Sequence, residues 1–268
     1  MDNVELITSA GNQIVKLSRS LHLKKNRDKS GLFLVEGIHH VGSVIEAGWD
    51  IDSIIYSPEL LSSTYANQLV VDQMNQETRC YKVLPQLFKT ISEKDNPQGI
   101  LAIVNKRNLK LEDLNIKTFN WGIAVIAPQD PGNIGTILRT IDSVGADGLF
   151  LLNGGVDPYH SSSVRASMGA MFWKPVIQTT FDELLTWSRL HTLTLIGSSA
   201  HAERDFQTLS SINKPCILIL GSEQKGMSKV EMNSCDLLVS IPMVGHSSSL
   251  NISVAAGILM YALKQNFD

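Results

Sequence analysis

Cysteine is scarce and unpatterned: the 268 residues carry three, Cys80, Cys216 and Cys235. An odd number without metal-ligand spacing argues against a disulfide framework and a zinc site, and for reduced thiols in a cytoplasm. Long hydrophobic runs are also missing. None approaches the ~18 apolar residues of a membrane span, so no membrane association is expected. The opening Met1-Asp2-Asn3-Val4-Glu5 is acidic and has no signal-peptide core. Excess charge is lacking as well. The formal net charge of −3 does not mark a nucleic-acid binder. Divided after residue 118, the first part carries 14 Lys+Arg against 14 Asp+Glu, and the second 9 against 12. Any contact with a polyanion must therefore rest on local patches. Internal repeats and low-complexity tracts are absent.

What the chain does have is one local pattern used three times. Residues 122–127 are an apolar run followed by Pro128-Gln129-Asp130-Pro131-Gly132-Asn133-Ile134-Gly135. Residues 216–220 are another, followed by Gly221-Ser222-Glu223-Gln224-Lys225-Gly226. A third short strand ends at Ile241-Pro242, and Met243-Val244-Gly245-His246-Ser247-Ser248-Ser249-Leu250-Asn251 leads from it into a helix. Each reads as a buried strand, a glycine-bearing turn and a helix. Ligands of α/β sheets bind at the carboxyl ends of strands. Three such turns can therefore build one site from backbone groups, hydroxyls and amides, suited to a small polar cofactor.

The rest of the chain alternates in the same manner, which makes the fold class α/β or α+β. The patterning predicts helices over 11–23, 37–47, most of 59–75, 85–90, 164–172, 181–190 and 251–264. It predicts strands over 33–35, 51–56, 81–83, 99–104, 148–152 and 192–197. The last helix is apolar nearly all round, so a domain core or a subunit interface must cover it. Residues 105–120 are polar and charged and are the expected linker between domains at 1–104 and 121–268.

Three segments carry a family resemblance. They are Asp130-Pro131-Gly132-Asn133-Ile134-Gly135 with Arg139-Thr140; Leu220-Gly221-Ser222-Glu223 with Gly226; and Ile241-Pro242-Met243 with Ser249-Leu250-Asn251-Ile252-Ser253-Val254-Ala255. In order and spacing the chain resembles the SpoU (TrmH) family of RNA ribose 2'-O-methyltransferases, part of the SPOUT superfamily. Arg165-Ala166-Ser167-Met168-Gly169-Ala170 is similar too, and Phe33-Leu34-Val35-Glu36-Gly37 resembles the family's N-terminal substrate-binding domain. The resemblance covers nearly the whole chain. It implies a C-terminal SPOUT-type α/β domain with a parallel sheet and a trefoil knot, preceded by a smaller α/β (α+β) substrate-binding domain. It also implies S-adenosyl-L-methionine as cofactor, RNA as partner and a homodimer. One departure is Ser161-Ser162-Ser163, where the family often has Pro-Lys, and it bears on target contacts rather than on the chemistry.

Methyl transfer to a ribose requires the 2'-hydroxyl to be positioned and its proton removed. Arg139 has Asp142 three residues on, and spacing alone reads as a helix-surface ion pair. The resemblance implies that Arg139 is catalytic. A charge that grips phosphate or steadies an alkoxide is then easier to defend than a base. By themselves Asn133 reads as a turn residue, Glu223 as a solvated turn acid, and Ser249 and Asn251 as helix caps. The resemblance implies that all four belong to the active site. It further implies Gly221, Ile241, Met243, Gly245 and Leu250 as cofactor contacts, with plain core roles as the alternative for Ile241 and Leu250. Lys16, Arg19, Lys24, Lys25 and Arg27 form either a solvated face or, with Arg165, a set of phosphate contacts. No metal is expected.

Other classes fare worse. None of the serines beside His246 has a glycine two residues away on both sides, as a nucleophile elbow requires. No Gly-x-Gly-x-x-Gly follows a strand, against a nicotinamide enzyme. A non-catalytic RNA-binding protein on the same scaffold is the alternative from another class. The joint presence of Asn133, Arg139, Glu223, Ser249 and Asn251 argues against it. The expectation is a cytoplasmic, homodimeric RNA ribose 2'-O-methyltransferase. Ribosomal RNA is the expected substrate and transfer RNA the alternative, because this kind of N-terminal domain more often accompanies ribosomal targets in relatives.

Overall fold

The protein is described here by a computed structural model that covers residues 5–265, the side chains of 210 and 211 excepted. The first four residues of the acidic opening, 1–4, lie outside the described residues. In chain order the elements are β1 (Leu6–Ile7), α1 (Gln13–Ser20), α2 (Lys24–Ser30), β2 (Leu32–Glu36), α3 (Ile38–Glu46), β3 (Ile51–Tyr56), α4 (Thr64–Asn75), β4 (Arg79–Val83), α5 (Pro85–Lys89) and β5 (Ile100–Asn105). Then come β6 (Trp121–Ile126), α6 (Pro131–Val144), β7 (Leu149–Leu152), α7 (Ser161–Ala166), β8 (Val176–Thr179) and α8 (Phe181–Leu190). The chain continues through β9 (Thr194–Ser198), β10 (Arg204–Asp205), β11 (Cys216–Leu220), α9 (Lys229–Ser234), β12 (Leu237–Ser240) and α10 (Ile252–Lys264). Among the described residues no helix is long and apolar enough to cross a membrane.

Two compact units result. The first takes the chain through Arg107 together with Tyr159–Phe172; the second takes Asn108–Pro158 and the chain from Trp173 onward. In the first unit the sheet order is β1-β4-β3-β5-β2, with β1, β4 and β3 parallel and β5 antiparallel to both its neighbours. Leu34, Ile55, Val83, Leu101 and Ile103 from this sheet pack with Ile14, Val15, Leu21 and Phe88. Phe33 and Trp49 hold the returning segment. The Phe33 ring lies 4.6 Å from that of Tyr159, and Trp49 Nε1 donates to the Phe172 carbonyl at 2.9 Å.

The second unit is built on a parallel sheet of seven strands in the order β10-β12-β9-β11-β6-β7-β8. β6 and β11 lie side by side near its centre, with Ile123 opposite Leu218, and every residue of both is buried. Unbroken apolar runs suit strands covered on both faces. From β6 the chain moves through α6 to β7 on one side, while β9, β11 and β12 extend the other side. The strand order therefore reverses between β6 and β11, where open α/β sheets place their ligands. Phe150, Ile217 and Ile219 pack with Phe181, Leu184 and Trp187 of the α8 layer. α10 packs against α6, burying Leu259, Met260 and Leu263.

The stretch 105–120 belongs in part to this core. Leu109 forms a parallel bridge with Ile177, Leu111 and Phe119 are buried, and Leu114 and Ile116 pack against them. Apolar residues spaced every two or three positions fix the backbone to the second unit, with one turn of 3-10 helix at Leu111–Asp113 as its regular element. β12 stops at Ser240, so Ile241 starts the following loop rather than ending the strand.

Candidate active site

The turn after β6 is tightly determined. Ala127 takes a left-handed φ of 42°, sparsely populated for a residue with a Cβ, and its N–H donates to the Leu152 carbonyl at 2.8 Å. Asp130 caps α6 by accepting the Gly132 N–H at 2.7 Å, and Pro131 fills the first helical position. Asn133 thereby sits in the first turn of α6.

The turn after β11 closes on itself, with Ser222 and Gly226 exchanging two backbone hydrogen bonds. A Cβ on Gly221 would stand 2.3 Å from the Gly226 carbonyl carbon. Glycine is needed there for the turn's own backbone, a structural demand independent of any ligand. This turn presents Glu223, which accepts the Gln129 N–H at 3.2 Å and lies 3.5 Å from Asn133 Nδ2.

Asn251 joins the third segment to the first. Its Oδ1 caps α10 by accepting from Ser253 N at 2.8 Å, and its Nδ2 donates to Asn133 Oδ1 at 3.0 Å. Capping and a contact to the neighbouring turn therefore coexist in one side chain. The structure brings Glu223, Asn133 and Asn251 into one hydrogen-bonded chain across the ends of three elements.

Arg139 stands outside that chain. It is six residues beyond Asn133, roughly a third of a turn around α6, and it is exposed. Among the described residues its side chain makes no hydrogen bond or ion pair. Asp142 turns instead toward Lys174, at 3.7 Å. The helix-surface pair with Asp142 that spacing suggests does not form.

Beside these turns lies a cleft of about 140 Å³. Ile241, Met243, Ser249 and Leu250 line it. So do Ser198 and Ser199 at the end of β9, and Ala255 and Leu259 of α10, none of which the sequence reading assigned. The signal that could have found the serines is the small-residue run Gly197-Ser198-Ser199-Ala200 at another strand end. Gly221 and Gly245 are not among the lining residues; a Cβ on Gly245 would meet nothing within 4 Å. Among the described residues the backbone N–H groups of Met243 and Leu250 make no hydrogen bond within the chain. The cleft thus offers apolar walls, hydroxyls and free backbone donors. Among the described residues no group of histidine, cysteine and carboxylate side chains could hold a metal ion.

The basic residues lie in the first unit. Lys16, Lys24 and Lys25 are exposed, and Arg19 reaches Thr90 Oγ1. Arg27 differs from the rest. It is 3% exposed, and its guanidinium donates to the carbonyls of Leu21 and His22 at 2.8 and 2.9 Å. Burial takes it out of reach of a phosphate and makes it a tie for the α1–α2 corner. Arg165 is half-engaged, with Nη1 3.2 Å from Glu93 Oε2. Arg27→Ala is therefore expected to cost about 2–4 kcal/mol of stability in denaturant titrations, since charged hydrogen bonds to two interior carbonyls are lost. Lys24→Ala and Lys25→Ala should leave the midpoint in place; equal midpoints for all three variants would return Arg27 to the solvated set.

The chain is similar to known proteins in sequence and in fold. Residues 121–261 match the SpoU rRNA Methylase family, and residues 12–102 match the MRM3-like substrate binding domain. The chain is 29% identical to the 23S rRNA (uridine(2479)-2'-O)-methyltransferase of Streptomyces viridochromogenes, over 98% of its own length and 93% of that protein's. It is 29% identical to the 23S rRNA (guanosine(2553)-2'-O)-methyltransferase RlmP of Bacillus subtilis (strain 168), over 96% of its own length and 98% of that protein's. Its structure is similar to that of an AdoMet-bound rRNA methyltransferase from Sinorhizobium meliloti, with a TM-score of 0.89, 30% identity and 98% of each chain covered.

Proposed function

Because this chain belongs to the SpoU rRNA methylase family, we propose that its site moves the methyl group of S-adenosyl-L-methionine to a ribose 2'-hydroxyl of ribosomal RNA. The protein is an RNA 2'-O-ribose methyltransferase, as its relatives of matching length are named. The observation that carries the reading is the Glu223–Asn133–Asn251 chain, which spans the turns after β6 and β11 at the switch point of the parallel sheet, with a small apolar cleft beyond the ends of β9 and β12.

The cleft fits part of the cofactor. At about 140 Å³ it is smaller than the roughly 300 Å³ at which whole-ligand pockets begin. It suits a flat base held between Ile241, Leu250 and Leu259, with the Met243 and Leu250 N–H groups and the Ser198 and Ser199 hydroxyls for its polar edges. Met243 and Ser249 line the same cleft, while Gly221 acts by letting its turn close. When bound, the cofactor supplies an electrophilic methyl group on a sulfonium. The chain's own residues do the rest. Asn133 and Asn251, locked to each other and to Glu223, offer a fixed amide surface for the ribose. Arg139 is always charged and grips a backbone phosphate or steadies the 2'-oxygen as its proton passes to solvent water and the oxygen takes the methyl group. Glu223 accepts from the Gln129 N–H and Asn133, and so sets the amide rather than touching the reacting atoms.

Lys16, Lys24 and Lys25 of the first unit would meet phosphates, which adds affinity without sequence choice. The same reading includes a C-terminal trefoil knot, action in the cytoplasm and a homodimer. The exposed Val254 and Tyr261, seven residues apart on α10, are the apolar surface a second copy would cover. The test is to compare 2'-O-methylation across total RNA from wild-type and deletion strains. Loss of one ribose methyl group in ribosomal RNA, restored by the purified protein with labelled cofactor, is the expected result. An unchanged map, or methyl incorporated into a base, would overturn the proposal.

A further inference from the structure

The first unit holds a cluster that methyl transfer does not use. Glu36, at the end of β2, is 9% exposed and accepts from Ser92 Oγ at 2.5 Å and from the Glu93 N–H at 3.4 Å. Glu93 is held in turn by His22 at 2.9 Å, by Arg165 at 3.2 Å and by Ser161. These contacts pin the segment after Ile91 to the end of β2, and both carboxylates are occupied in doing so.

The pinned segment lays two side chains over Gly37. A Cβ there would stand 2.9 Å from Lys94 Nζ, 3.0 Å from Gln98 Oε1 and 3.9 Å from His40 Cδ2. The φ of 104° at Gly37 also favours glycine. Gln98 Oε1 accepts the Ile38 N–H at 3.1 Å, and the Val41 N–H returns to the Gly37 carbonyl at 2.9 Å. Among the described residues the N–H groups of His39 and His40 have no acceptor, and Lys94 Nζ makes no ion pair or hydrogen bond. His40 is 8% exposed and its Nδ1 has no partner. Burial, helped by the charges of His39, Lys94 and Arg165, lowers its pKa to about 4. The ring is neutral at pH 7, so the positive character here comes from Lys94 and from the start of α3.

An open helix N-terminus, an unpaired ammonium and a buried histidine lacking a partner meet at one place. We propose that the start of α3, with Lys94, Gln98 and His40, holds one backbone phosphate of the RNA substrate. The single uncompensated cation matches the single charge of a phosphodiester better than the higher charge of a free phosphate or a nucleotide. This site rests on the reading of the first unit as the RNA-binding part of the enzyme.

The experiment is filter binding of a 23S rRNA transcript from 50 to 200 mM salt, using the full-length protein. Lys94→Gln should lower the slope of log affinity against log salt by about 0.7–0.9, which narrows the loss over this range by about threefold. Lys94→Arg should keep the wild-type slope. Unchanged S-adenosylmethionine affinity in both variants is the folding control. If the wild type binds with a salt-dependent affinity and Lys94→Gln matches it in affinity and slope, the site falls alone. If the wild type shows no salt-dependent binding, the RNA-binding reading of the unit falls and the site falls with it.

Discussion

Arg139→Ala is expected to slow single-turnover methyl transfer by about 10²–10³-fold, the cost of removing one preorganised donor from a developing oxyanion. Cofactor affinity should stay within about twofold of wild type, because the arginine is absent from the residues lining the cleft. The expectation rests on what the guanidinium is not doing. Its nearest acidic neighbour in sequence, Asp142, turns to Lys174 at 3.7 Å. The side chain has no partner among the described residues, yet it projects from the helix that carries Asn133. An uncommitted arginine on such a helix contributes little to the fold, so its removal should leave the circular dichroism spectrum and the melting temperature in place. Arg139→Lys then separates two roles. A simple charge requirement predicts partial activity, whereas a planar fork on phosphate or ribose predicts a loss close to that of alanine. Transfer of labelled methyl to cognate RNA at near-wild-type rate by Arg139→Ala would remove the residue from the chemistry.

Much of the second unit was legible because its strands carry continuous apolar runs and its turns carry glycine and proline at strand ends. β6, β11 and α10 follow directly from those patterns. The parts that were not legible lack such signals. The basic run at 24–30 has no apolar period, and it forms α2 because Arg27 turns inward onto two carbonyls. Composition marks residues 105–120 as a linker, but single leucines and a phenylalanine, spread too irregularly for a periodic signal, tie the stretch to a core that other segments build. Tyr159–Phe172 joins the first unit through ring contacts with Phe33 and Trp49, partners more than a hundred residues away that no local pattern announces. The site divides in the same way. Glycine at 221 reads as a ligand contact in the sequence, but the position is fixed by the backbone of its own turn. Asn251 reads as a cap by itself and as a site residue by resemblance; one end of its amide caps α10 and the other donates to Asn133.

That distinction decides how the cleft proposed for the cofactor should be probed. Gly221→Val would drive a Cβ into the Gly226 backbone at 2.3 Å, so lost binding would report a broken turn. Ala255 is the better position. It lines the cleft from α10, its N–H is bonded to the Asn251 carbonyl at 2.9 Å, and leucine is nearly as good a helix former as alanine. Ala255→Leu adds three carbons to a cavity of about 140 Å³ without touching the network of Asn133, Glu223 and Asn251. Overfilling of this kind costs about 1–3 kcal/mol, so the Kd for S-adenosylmethionine should rise by roughly 5- to 150-fold. RNA affinity and melting temperature should stay near wild type, because the first unit and the sheet are not altered. At saturating cofactor the methyl-transfer rate should recover in part, which Arg139→Ala would not allow. Calorimetry on the purified variant measures the first quantity, and single-turnover transfer at increasing cofactor measures the second. Wild-type affinity in a folded Ala255→Leu protein would place the adenine outside this cleft and return Ile241 and Leu250 to a purely structural role.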